Sequence, residues 1–207
     1  MHRSIFYRRM AVLACALLLV IGGSIVVYAG TFRLLSPVQS DQLFYSDANI
    51  TISFIMRPGK YGIGYEGISF TITNKCSHAI AVDWNRSSLT LPNGQISNVM
   101  HEGTLFISRG TTTPPTTIPP GGKLSDSAIP TRNVFYMDGW EIHPMAIKSG
   151  SRFGLYLALD GIETTNGYNF TFEAVDVESE FSQTLSFILA MLVLVGVLGL
   201  ISIALDL

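Results

Sequence analysis

The chain has 207 residues, 13 Lys and Arg against 15 Asp and Glu, and two cysteines. A net charge of −2 with no basic stripe excludes a partner held by nucleic-acid phosphates, and two cysteines exclude a fold stapled by several disulfides. With its two apolar ends set aside, about 150 residues remain, enough for one domain with its own core.

Residues 1–9 carry Arg3, Arg8 and Arg9 and no acid, so they read as a cytoplasmic basic tail that sets orientation. Residues 10–29 follow as a transmembrane helix or signal anchor. Ala11 to Ala29 has no Asp, Glu, Lys, Arg or His, and roughly 20 apolar residues at about 1.5 Å each match a bilayer core of about 30 Å. A signal peptide cut between Ala29 and Gly30 is the competing reading, although the apolar run exceeds the usual h-region. Cys15 lies within the run rather than after it, which argues against a lipidation site. Residues 30–41 read as a linker.

Residues 42–178 read as an extracytoplasmic β domain. Ile50, Ile52, Phe54 and Met56 alternate with polar or outward positions, as do Ile68, Phe70 and Ile72, then Ile80, Val82 and Trp84. Leu155, Leu157 and Leu159, and Tyr168, Phe170 and Phe172, repeat the pattern. A period of two places one set inward and the other outward. Turn signals fall between the runs at Pro58-Gly59, Asn74-Lys75, Pro92-Asn93-Gly94 and Asn166-Gly167. Pro92-Asn93-Gly94 predicts a hairpin joining Ser88–Leu91 to Ile96–Met100. Thr111 to Gly122, with Pro114, Pro115, Pro119 and Pro120, predicts an extended connection crossing between sheets. The fold class expected is mainly β: an antiparallel immunoglobulin-like sandwich flanked by an N-terminal and a C-terminal transmembrane helix.

Residues 184–205 form the second expected transmembrane helix, again without an ionisable residue, and 206–207 a short cytoplasmic tail. Gly196 and Gly199 within it allow close helix approach and are candidate contacts to a membrane partner. The middle segment holds ten Lys and Arg against fourteen Asp and Glu, which argues against attraction to an anionic lipid surface.

Site chemistry is sparse. His2, His78, His101 and His143 show no paired metal spacing, and Cys76 with His78, Met100 and His101 does not reproduce a copper ligand loop. There is no Gly-x-Ser-x-Gly elbow and no glycine loop leading into a helix. Asn49, Asn85 and Asn169 begin Asn-x-Ser/Thr triplets at close to chance frequency. Trp84 reads as a cap on the core at the end of its strand. Trp140 reads as core, membrane-interface anchor or partner contact, and Pro119 and Pro120 as a second candidate contact. No cofactor, metal or catalytic residue is expected.

The segments ITNKCSHAIAVDWNRSSLTLPNGQISNVMHEG and PPTTIPPGGKLSDSAIPTRNVFY, then a Gly-Trp, carry a resemblance. They contain Asp83-Trp84, the Gly94 hairpin, His101-x-Gly103, Ile118-Pro119-Pro120-Gly121, Asp126 and Pro130. In these, Ile72 to Trp140 resembles a group of uncharacterised bacterial envelope proteins, many of them predicted lipoproteins. The resemblance implies an exported β-sandwich and no activity. The expected function is therefore a non-enzymatic interaction or accessory subunit of a membrane protein assembly. It would sit in the bacterial inner membrane, with both termini cytoplasmic and the central domain outside. It would have two spans (one if the first is cleaved) and integral-membrane protein partners. An envelope ligand- or metal-binding sensor or chaperone is the alternative.

Overall fold

The computed structural model describes residues 31–60, 63–102, 104, 111–163 and 165–177. Twelve strands occur among them: β1 Thr31–Ser36, β2 Phe44–Ser46, β3 Ile50–Pro58, β4 Tyr65–Asn74, β5 Ile80–Thr90 and β6 Ile96–Met100. Then come β7 Thr116–Ile118, β8 Lys123–Pro130, β9 Val134–Tyr136, β10 Trp140–Ile142, β11 Arg152–Asp160 and β12 Gly167–Asp176. Every pairing is antiparallel. The mainly-β antiparallel expectation therefore holds. No described helix is long and apolar enough to cross a membrane, and both apolar stretches, with Arg3, Arg8, Arg9, Gly196 and Gly199, lie outside the described residues.

The main sheet runs β1-β12-β11-β5-β6-β8-β4-β3-β2, with β7 added to β5. Two separate sheets were expected. Instead β6 pairs with β5 at one end and with β8 at the other, so one path is continuous and nearly barrel-like. The path folds over on itself because each strand has one apolar face to bury. Phe54 on β3 meets Phe170 and Phe172 on β12 with ring centroids 4.7 and 5.0 Å apart, and Phe70 on β4 meets Trp84 on β5 at 6.3 Å. The alternating sets read from the sequence are the buried ones: Ile50, Ile52, Ile68, Ile72, Leu155, Leu157, Phe170 and Phe172 are all fully enclosed. Each such side chain contributes about 1.5–3 kcal/mol through removal from water.

The expected linker needs correction. Residues 31–36 inside it are a strand of the sheet, β1, with Phe32 and Leu34 in the core. The apolar pair Phe32 and Leu34 is too short to signal a strand by periodicity. It is held because β12 offers an open ladder, and because Phe32 packs edge-on against Tyr65 at 4.8 Å and Phe153 at 6.0 Å. The domain boundary therefore moves back from residue 42 to the start of β1.

Pairing of β1 with β12 sets Thr31 opposite Asp176. The chain thus enters and leaves the sheet on adjacent strands at the same end. The β5–β6 turn closes that end as read from the sequence: the Leu91 N–H donates to Gln95 O, the Gly94 N–H donates to Leu91 O, and Gly94 sits at φ +80°, where a side chain would be strained.

Two expected strand segments, Ile80–Trp84 and Ser88–Leu91, belong to the single strand β5. Ala158 pairs with Asp83 but Tyr156 pairs with Ser88, two steps along β11 against five along β5. Three extra residues therefore bulge out. The Ser87 hydroxyl repairs the ladder: its O–H donates to Asp83 O at 2.7 Å and it accepts the Ala158 N–H at 3.1 Å. Asp83 Oδ1 accepts the Asn85 and Arg86 N–H groups, and the Arg86 guanidinium joins Asp83 to Asp160. The hydrogen bond from Arg86 holds the Asp83 carboxyl below the usual carboxylate range, against the opposing effect of burial.

Gly67 marks the tightest crossing of β4 with β8. A Cβ there would stand 2.4 Å from Ala128 O and 3.3 Å from Ile129 Cα, both backbone atoms that cannot swing aside. Gly67→Ala is expected to cost about 2–3 kcal/mol as an overpacking strain, measured as a lowered urea midpoint of the full chain in mild detergent. An unchanged midpoint would mean that the two strands separate freely.

Candidate functional site

Three places concentrate polar or aromatic chemistry. The first lies where β5, β6 and β8 meet. Trp84 points inward from the bulge of β5 rather than capping the core, and is 2% exposed. Its Nε1–H donates to Thr116 Oγ1 on β7 at 2.8 Å, and the His101 ring lies flat on the indole at 4.3 Å with planes 6° apart. His101 Nδ1–H donates to Asp126 Oδ2 at 3.2 Å; a carboxylate can only accept. The other carboxylate oxygen accepts the Glu102 N–H at 2.8 Å and the Ser127 N–H at 2.7 Å. Ser127 Oγ meets Ser69 Oγ at 2.9 Å and Arg57 Nη1 at 3.4 Å, and Ser125 Oγ meets Thr71 Oγ1 at 2.9 Å. Thr104, whose N–H donates to His101 O, has its Oγ1 buried without a partner among the described residues. A His–Asp pair does nucleophilic work only when the ring's other nitrogen faces a hydroxyl or thiol. Among the described residues Asp126 is engaged by two backbone donors and His101 is stacked on an indole, contacts that link β8 to β5.

The second place is the β2–β3 corner. Asp47 Oδ1 accepts the N–H groups of Asn49 and Ile50, both at 2.8 Å, and Oδ2 accepts hydroxyls from Tyr168 at 2.6 Å and Tyr45 at 3.2 Å. Burial alone would raise the Asp47 carboxyl; the Tyr168 hydroxyl, the two backbone donors and the Tyr45 hydroxyl outweigh it and hold the group below the usual range. Burial and the neighbouring carboxylate push the Tyr168 phenol upward. Because the folded carboxyl is lowered, its contribution to stability is fully present above the unfolded value of about 3.9 and is lost as pH falls through the folded value. Acid unfolding of Asp47→Asn is expected to show a shallower loss of stability below about pH 4 than the parent chain. Parallel acid limbs would count against the lowered carboxyl.

Cys76 lies half-buried beside this corner, its Sγ 3.6 Å from Asn49 O, and His78 Nε2 lies against Gly161 O at 2.5 Å. Both are held there, while His101 is held by Trp84 and Asp126. No group of three or more His, Cys, Asp or Glu residues is placed to hold a metal among the described residues.

The third place is a concavity of about 610 Å³ at the end where the chain enters and leaves. It is formed by the β5–β6 turn, the turn Thr131–Asn133 and the segment 143–151, and is lined among others by Leu91, Asn93, Arg132, Phe135, His143 and Lys148. A smaller hollow of about 170 Å³ lies on the outer face of β3, β4 and β8 between Ser53, Ser69, Thr71 and Ser125.

The residues singled out in the sequence go to different places. Pro119 and Pro120 are exposed in the turn from β7 to β8, which carries the chain from β5 across to β4 as expected. Buried Asn74 clasps that turn: its N–H donates to Gly122 O, its carbonyl accepts from the Gly121 N–H, and its side-chain amide donates to Ile118 O and His78 O. Trp140 begins β10, half-buried, against a small cluster of Met100, Ile129 and Val134, with its ring 5.4 Å from Tyr136. The contact of His101 with Asp126, 25 residues apart, has no signal in local spacing. Its members are elements of the resemblance pattern, as are Asp83-Trp84 and the Gly94 hairpin. The lining of the large concavity has no signal in the sequence, because it draws on three separate segments.

No protein-family model matches the chain, and no curated protein matches it. Among solved structures it is similar to the yjhA protein from Bacillus subtilis, at 11% identity and a TM-score of 0.36, over 65% of this chain and 96% of that one. It is also similar to the structural-genomics target SoR45, at 17% identity and a TM-score of 0.25, over 62% of this chain and 80% of that one. At these values neither likeness speaks to function.

Proposed function

We propose that the chain is a membrane-anchored β domain of the bacterial envelope. It faces the outside of the inner membrane and serves as a non-enzymatic interaction or accessory subunit of a membrane assembly. The observation that carries this reading is the pairing of Thr31 with Asp176. The apolar run ends at Ala29, two residues before β1, and the second begins at Leu185, nine residues after β12. Strand pairing sets the first and last strands of the domain side by side, as suits a domain held at both ends by anchors into one bilayer. In this reading residues 10–29 and 184–205 are the spans, the basic tail with Arg3, Arg8 and Arg9 stays cytoplasmic, and Gly196 and Gly199 face a membrane partner. The immunoglobulin-like wrapping of the two sheet halves belongs to the same reading.

The test is protease treatment of spheroplasts followed by purification in mild detergent. Cleavage of the domain from outside, resistance of the chain to alkaline extraction and a stoichiometric integral-membrane partner are the expected results. Release by alkali, or a strictly monomeric native mass, would overturn it. The large concavity favours the second reading, a ligand-binding envelope sensor, whose signature would be thermal stabilisation by a small molecule.

A further inference from the structure

We propose that the 610 Å³ concavity receives the phosphate headgroup of an anionic phospholipid, an inference that rests on the anchored reading above. Its size falls within the usual range for small-ligand sites. Arg132, His143 and Lys148 line it, and no Asp or Glu is among its lining residues, in a segment where acids outnumber bases. Arg33, Arg57, Lys60, Arg86 and Arg152 each meet a carboxylate, whereas the side chains of Arg132 and Lys148, like those of Lys75 and Lys123 elsewhere, meet none among the described residues, and only Arg132 and Lys148 share a hollow. Both segments are nonetheless fixed by their backbones. The Arg132 N–H donates to Ser97 Oγ at 3.2 Å, and the Lys148 N–H donates to Ser151 Oγ at 2.9 Å. Two cations held without counter-charge in one hollow form a receptor for an anion.

Apolar walls specify what kind of anion. Leu91 and Phe135 share the hollow with the cations, so the ligand carries apolar surface beside its charge. On the hairpin that supplies Phe135, Tyr136 and Met137 are 66% and 68% exposed, and tyrosine rings favour the headgroup layer of a bilayer.

Position specifies the source. Ser149, next to Lys148, exchanges hydrogen bonds with the Val177 backbone at 3.0 and 3.3 Å. Val177 is the last described residue, and in the anchored reading the second span follows it in sequence from residue 184. The acidic net charge of the segment argues against general lipid attraction; the lining of this hollow, with three basic side chains and no acid, differs from it.

The full chain in non-ionic detergent would be titrated by native mass spectrometry with dihexanoyl phosphatidylglycerol, dihexanoyl phosphatidylcholine and glycerol 3-phosphate. At about fivefold per cation, phosphatidylglycerol is expected to bind about 30-fold more tightly than phosphatidylcholine. Arg132→Gln with Lys148→Gln should abolish that preference while leaving the melting temperature unchanged, and the paired Glu variants, which reverse the local charge, should turn it toward phosphatidylcholine. Equal binding of the two lipids, or a preference that survives the double substitution, would overturn the proposal. Glycerol 3-phosphate binding as tightly as phosphatidylglycerol would overturn the lipid assignment in favour of a soluble phosphate ester. Alkaline extraction of the same membranes reports separately on the anchored reading: a released chain that still prefers phosphatidylglycerol keeps the site and loses the anchors.

Discussion

Trp84→Ala is expected to destabilise the full chain by about 4 kcal/mol, the largest effect of any single truncation in the core. The indole is 2% exposed and lies at the junction of three strands. Truncation leaves a large cavity, strips Thr116 of its donor at 2.8 Å and removes the surface on which His101 lies at 4.3 Å. Three losses fall together because this one side chain reaches Phe70 on β4, Thr116 on β7 and His101 just past β6. Trp84→Phe separates them: it retains most of the apolar volume and a ring for His101, but loses the hydrogen bond. It should cost about half as much. Urea unfolding followed by near-ultraviolet circular dichroism measures both. A loss under about 1 kcal/mol for the alanine variant would mean that the site collapses freely around the gap.

Asp126→Ala should cost about 3 kcal/mol. Two backbone N–H groups, of Glu102 and Ser127, point at one carboxylate oxygen at 2.8 and 2.7 Å, and the residue is 8% exposed. Removing the acceptor leaves enclosed donors without a partner, and each such group costs about 1–3 kcal/mol. Asp126→Asn is the discriminating partner variant. Its amide oxygen still accepts both N–H groups, and its NH₂ can donate to His101 Nδ1 once that nitrogen is unprotonated. Its cost should stay near 1 kcal/mol. Nearly equal losses for the two variants would point instead to a need for negative charge beside His101, and so to a role beyond bracing.

Local and non-local features separate cleanly along the chain. Ile50 to Met56, Ile68 to Ile72 and Tyr168 to Phe172 were legible as strands, inward sets included, because the pleat imposes a period of two on any half-buried strand. Leu91 to Gln95 was legible as a hairpin turn because a positive φ at Gly94 needs glycine. β1 was missed. Phe32 and Leu34 alternate over only a few residues, and their strand exists because β12 has an open edge and Tyr65 and Phe153 wait beneath it. The bulge was missed because the run Asp83 to Ser88 contains polar residues that read as a strand end. What they do is replace ladder hydrogen bonds with those of Ser87 and Asn85, the latter exchanging its side-chain amide with the Thr113 backbone. Nothing in local spacing distinguishes these roles from ordinary solvation.

By itself the sequence determined the class of structure, the faces of the long strands and the sites of the tight turns. Each follows from bonds and sterics within about ten residues. Only the tertiary structure decided that one sheet runs continuously through β6, that His101 rests between Trp84 and Asp126, and that the first and last strands lie side by side. It alone brought Arg132 and Lys148 into one hollow. These depend on which strand pairs with which, and pairing is settled by the burial of all apolar faces at once rather than by any stretch alone.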